Sequence, residues 1–138
     1  MPAKDRYHDA VKAALIKDHW MITHDPFSIK YAETELYADL AAEKPFVAER
    51  GEQKIIVEVK SFIGRSPMND FHGALGQYTV YRHLVEMTEP EYKVYLAIDD
   101  IVHENFFQRL AIQAIIKAQK VALIIVDIAE EEIIQWIN

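Results

Sequence analysis

The chain contains no cysteine. That excludes disulfides and thiolate zinc sites and is compatible with a cytoplasmic location, where thiols stay reduced. Cations are scarce as well. Fifteen Lys and Arg stand against 22 Asp and Glu, for a net charge of −7. Tight, indiscriminate binding to nucleic acid needs the opposite balance, although a local basic groove or a metal-bridged phosphate contact is still open. No apolar run approaches the roughly 18 residues that a membrane span requires. The start, MPAKDRYHDA, lacks the apolar segment of a signal peptide, so neither membrane nor secretion is expected. With only four Gly and five Pro there is no linker and no low-complexity tract, and no internal repeat is visible. What is present is a soluble, globular balance of 51% hydrophobic and 27% charged residues over 138 positions. That is the length of one domain, and residues 1–138 are read as such.

The pattern along the chain alternates between helical and extended periods. Tyr7 to Lys17 carries apolar residues at helical spacing, and Trp20 to Thr23 reads as a short strand closed by His24-Asp25-Pro26. Between Phe27 and Glu49 the alternation is loose, with Glu35 to Leu40 its clearest strand. Arg50-Gly51-Glu52 is a turn, and Gln53 to Phe62 the strongest strand signal of all. A helix capped by Asn69 or Asp70 runs to about Met87. Val94 to Ile98 and Val121 to Ile128 are continuous apolar runs, of the kind buried on both faces of a sheet. Helix is predicted from Val102 to Ala118, with Asp99-Asp100 as its cap, and Glu132 to Ile137 predicts a last short strand. The order predicts an α/β fold, a mixed central sheet between helices.

Within IIVEVKSF, residues 55–62, alternation places Ile56, Glu58 and Lys60 on one face and Ile55, Val57 and Val59 on the other. Glu58 and Lys60 are then roughly 6–7 Å apart along one strand. On an exposed edge this is a solvated pair of little energetic value. On a central strand both charges require compensation. Asp39 ends the preceding predicted segment, so pairing of the two strands would set two carboxylates beside an ammonium. Such a group is a hard-oxygen site for Mg²⁺ or Mn²⁺ with a cation placed to orient a water.

Asp39 followed by Glu58-Val59-Lys60 resembles the active-site signature of the PD-(D/E)XK nuclease superfamily, and the element order is similar to its restriction-endonuclease-like three-layer αβββαβ core, here with a C-terminal αβ extension. Gln77 and Tyr81 resemble the Gln-x-x-x-Tyr motif of the RecB-type branch. A longer match runs through MPAKDRYHDAVKAALIKDHWMITHDP, YADLAAEK, VEVKSF, DFHGALGQY and QWIN, which together resemble the XisH family, the cyanobacterial fdxN-element excision controlling factors. The resemblance implies Asp39, Glu58 and the Val59 carbonyl as ligands of Mg²⁺ or Mn²⁺. It also implies Lys60 at the scissile phosphate or attacking water, and Gln77 and Tyr81 as support. Ala38 stands where the motif name has Pro. The first-helix acid of many relatives has Asp9 or His8 as its counterpart here. The function implied is DNA-element excision control through metal-dependent phosphodiester hydrolysis. The alternative is a non-catalytic accessory subunit of a site-specific recombination system. DNA is the implied partner; a small XisI-type protein, a recombinase and an oligomer are also compatible with the resemblance. Gly73 and Gly76, inside a predicted helix, are read as close-packing positions, with a substrate passing nearby as the alternative.

Overall fold

A strand that buries both of its faces must lie inside a sheet covered on both sides, and several runs of this chain do so. The structure, a computed structural model, describes residues 6–28, 30–31, 34–35 and 45–138. Helix α1 spans His8–Lys17, followed by β1 (Met21–His24), β2 (Lys30–Tyr31), β3 (Thr34–Glu35), β4 (Phe46–Arg50) and β5 (Gln53–Val59). Then come α2 (Pro67–Thr88), β6 (Lys93–Asp99), α3 (Asp100–Asn105), α4 (Leu110–Gln119), β7 (Leu123–Asp127) and β8 (Glu132–Ile137). One six-stranded sheet has the order β1-β4-β5-β6-β7-β8, and β2 pairs with β3 separately. The central trio β5-β6-β7 is parallel, and the remaining pairings are antiparallel. The result is an open, mixed α/β sheet with helices on its faces.

Alternation along the strands divides the core in two. Val47, Ile56, Leu96, Ile98 and Ile125 face α2 and α4, meeting Phe71, Tyr78, Tyr81 and Ile112. Phe46, Ile55, Val57, Val59, Ala97 and Ile124 face the other way, meeting Val11, Ala14 and Leu15 of α1. On that side Trp20, just before β1, and Trp136 of β8 sit 5.5 Å apart.

Several boundaries differ from the sequence reading for identifiable reasons. The strand that pairs with β5 is β4, in register Phe46↔Val57, inside the stretch where Glu35–Leu40 gave the clearer pattern. β4 buries Phe46, Val47 and Ala48 in succession, so it has no alternation to read. Thr34 and Glu35 do form a strand, paired with β2, while residues 36–40 lie outside the described residues. β5 stops at Val59, short of Phe62, whose positive φ of 55° takes the backbone out of the extended region. The cap of α2 is Ser66, whose hydroxyl accepts from the Asn69 amide, so Asn69 and Asp70 sit in the first turn. Asp99 caps α3 as anticipated, accepting from the Val102 amide. The helix expected over 102–118 is two helices, because Phe106 and Phe107 both turn into the core between them. Gly73 and Gly76 face open space, with nothing near the Cβ either would carry. Close packing does not account for them.

Candidate functional site

β5 delivers its polar residues to the carboxyl end of the parallel trio. Glu58 pairs with Leu96 across β5 and β6, on the face covered by α2, and is only 2% exposed. A carboxylate at that depth in a central strand requires compensation, and Glu58 is engaged within the fold. This settles the strand's position: Glu58 does not belong to a solvated edge. Val59 points to the opposite core and pairs with Ala97. Lys60 lies just beyond the strand, half-buried, and its amide donates to the Ala97 carbonyl at 3.1 Å. Ser61 follows and is buried. Glu58 and Lys60 therefore both lie at the carboxyl end of β5.

Over this face runs α2. Tyr81 is fully buried among core side chains and Gln77, one turn earlier, is half-buried. Tyr78 is a structural bridge that the spacing alone did not reveal. Its hydroxyl donates to the Val94 carbonyl at 3.2 Å and accepts from the Ala122 amide at 3.0 Å, tying α2 to β6 and to the start of β7.

The first helix presents a different arrangement. His8 is buried, its ring edge-on to Phe46 at 5.2 Å, and Nε2 lies 3.0 Å from the Asp25 carboxylate. Lys12 reaches the same carboxylate at 2.5 Å. Burial opposes ionisation of Asp25, but the hydrogen bonds from Lys12 and His8, with their charges, outweigh it and hold the carboxyl below its ordinary range. Asp25 was not singled out by motif; its signal is the helical pair His8 and Lys12, four apart on one face. Asp9 is exposed on the neighbouring face of α1.

Asp99, at the end of β6, is also buried, and burial raises its carboxyl pKa despite the hydrogen bond from Val102. Asp39 lies outside the described residues. Among the described residues no three His, Cys, Asp or Glu side chains converge as a metal site. Glu58 and the Val59 carbonyl are hard-oxygen donors of the type Mg²⁺ and Mn²⁺ take, so their chemistry fits such an ion. The second carboxylate of the set is Asp39.

The fold and this end of the sheet define a mixed α/β protein with a buried acidic residue at the end of a central strand and a lysine two positions later, just beyond it. Among the described residues no helix is long and apolar enough to cross a membrane. The family profile for XisH protein matches residues 1–134, and the chain belongs to the XisH family. Two crystal structures are closely similar. An XisH family protein from Nostoc punctiforme PCC 73102 is 40% identical with a TM-score of 0.90, covering 97% of this chain and 100% of that one. An fdxN element excision controlling factor protein from Anabaena variabilis is 41% identical with a TM-score of 0.89, covering 96% of this chain and 98% of that one. No curated protein matches the chain.

Proposed function

We propose that this XisH-family protein is an fdxN-type element excision controlling factor that processes DNA by metal-dependent phosphodiester hydrolysis. In this reading residues 1–138 form one restriction-endonuclease-like domain acting in the cytoplasm. The observation that carries the reading is the depth of Glu58. A carboxylate held at 2% exposure, with Lys60 emerging two residues later at the carboxyl end of a parallel strand, is a costly arrangement that a solvated pair does not need.

Asp39, Glu58 and the Val59 carbonyl would hold Mg²⁺ or Mn²⁺, an ion that neutralises charge developing on phosphate and acidifies bound water. Lys60 places a fixed cation where the scissile phosphate or the attacking water lies. Gln77 and Tyr81 brace the face from α2, and the His8–Asp25–Lys12 group holds α1 against the end of β1. The net charge of −7 supports reliance on a partner for DNA affinity, such as a small XisI-type protein or a recombinase. The same deficit favours the second reading, an accessory subunit that holds the fold without turnover.

Cleavage assays with Mn²⁺ on single-stranded, duplex and branched DNA, with and without such a partner, separate the two. Lys60→Ala should lose activity by a factor of at least roughly 100, the size expected for a group acting in the transition state. Wild-type protein that cuts no faster than this variant on every substrate would overturn hydrolysis and leave the accessory role.

A further inference from the structure

A cavity of about 370 Å³ opens beyond the carboxyl ends of β5 and β6, and Ser61, the residue after Lys60, lines it. Its size lies in the range of about 300–1,000 Å³ typical of small-molecule sites. Open α/β sheets bind their ligands in this position, outside the carboxyl ends of the strands. We propose that this cavity receives one amino-bearing nucleobase of a single-stranded nucleic acid, reading its edge with Asp99 and holding the adjoining phosphate with Arg109. The choice of a nucleic acid rests on the DNA-processing reading of Glu58 and Lys60.

The walls suit a flat, apolar-faced ring. Phe62 and Phe106 line the cavity with centroids 6.2 Å apart, and Ile63 and Ile101 stand at its mouth with 56% and 62% of their surface exposed. Large aliphatic residues left open to water beside aromatic rings give a base a face to cover.

The polar groups then select among flat ligands. Asp99 is buried in the lining, and its Oδ1 accepts from the Val102 amide at 2.9 Å; a carboxylate has about four lone-pair sites, so backbone amides do not exhaust its capacity to take a further donor. Adenine, cytosine and guanine carry an exocyclic amino group that donates there, whereas thymine offers oxygens at the corresponding positions. Arg109 is exposed, its guanidinium lying 4.9 Å from the Phe106 ring centroid, a stacked cation at the rim. An acidic peptide would meet the Asp99 carboxylate, and a basic one would meet Arg109. A nucleotide brings a donor edge and an anion together, and so satisfies both.

The test is fluorescence anisotropy with short labelled oligo-dA, oligo-dC and oligo-dT in EDTA, so that neither metal binding nor cleavage enters. Wild-type protein should prefer dA and dC over dT by about tenfold, the equivalent of one lost buried hydrogen bond. Asp99→Asn preserves the cap, since Asn serves there as well as Asp, but it exchanges acceptor for donor and should reduce the preference to within about twofold. Arg109→Ala should weaken all three strands alike and lower the slope of log affinity against log salt by about 0.7, one phosphate contact to a single strand. No binding by wild type, equal affinity for the three strands, or an unchanged preference in Asp99→Asn would overturn the proposal. Retained base preference with no metal-dependent cleavage in wild type would sink hydrolysis alone, and cleavage without base preference would sink the pocket alone.

Discussion

The two ends of the parallel strands β5, β6 and β7 are built from the same apolar runs but carry opposite chemistry. At the amino end lies the larger cavity, about 670 Å³, lined by Arg82, Lys93 and Lys120. Its cations serve backbone and neutral groups. Arg82 donates to the carbonyls of Gln119 and Lys120, closing the last turn of α4, and Lys93 donates to the Asn138 side chain at 2.6 Å. Cations at helix carboxyl ends satisfy orphan carbonyls and oppose the dipole, a structural task that needs no ligand. At the carboxyl end the cavity is smaller, yet Glu58, Ser61 and Asp99 are all buried there. Volume therefore misranks the two ends. Buried ionisable groups, which cost folding energy and must be compensated, mark the end where chemistry is to be sought.

The largest expected effect would break this contrast if it failed. Under the proposed metal reading, Mn²⁺ at a hundred times its Kd should stabilise the protein by about 2.7 kcal/mol, because the ion binds the folded state alone. Under the same reading Glu58→Gln and Asp39→Asn should each abolish that thermal shift, since each removes one carboxylate ligand of the ion. An equal metal response in wild type and variants, measured by differential scanning fluorimetry, would place the ion elsewhere.

A second prediction concerns the bridge toward the amino end. Tyr78→Phe removes a buried hydroxyl that serves both the Val94 carbonyl and the Ala122 amide. Stranding these groups should cost about 1–3 kcal/mol in urea unfolding. Under the proposed hydrolytic reading, metal-dependent activity at the far end should be unchanged at temperatures where the variant is folded. A loss of activity in the folded variant would show that the ends are coupled, not separate.

Much of this architecture was legible, and the illegible parts share a cause. The runs around Ile56, Leu96 and Ile124 read as strands because they are apolar on both faces, as a doubly covered sheet demands. β4 was missed because Phe46, Val47 and Ala48 are buried in succession and then give way to charge, without the alternation that marks a strand. The break between α3 and α4 was invisible because Phe106 and Phe107 look like helical core residues, and only their shared cluster with Phe62 and Phe71 shows why the chain turns. At the site, Glu58 was found by motif and its depth by strand position. Asp25 and Asp99 were not found as members of this polar end, since a turn Asp and a cap Asp have ordinary local explanations. The pairing of Asp25 with His8 and Lys12 and the burial of Asp99 are tertiary, and no local pattern reports them.

Those two carboxylates give the smallest and most discriminating prediction, because they respond to pH in opposite senses. The folded-state pKa of Asp25 is lowered, as His8 and Lys12 outweigh its burial. Its contribution to stability is therefore present above the unfolded value of about 3.9 and lost as pH falls through the folded value. Asp99 is raised by burial, with the Val102 hydrogen bond only partly opposing it. Relative to a neutral side chain, Asp99 is no burden below about pH 3.9 and becomes one as pH rises through its folded value. Asp25→Asn should then destabilise the protein near neutrality by about 1.5 kcal/mol, the low end for hydrogen bonds to charged groups because Lys12 is partly exposed, and the deficit should shrink below about pH 4. Asp99→Asn keeps the α3 cap and should match or exceed wild type at neutrality, with any advantage fading on acidification. Urea midpoints for the three proteins across the acid limb check both signs. If the two variants shift in the same direction at neutral pH, the carboxyl end does not hold one charge by pairing and another against burial, and the contrast between Asp25 and Asp99 fails.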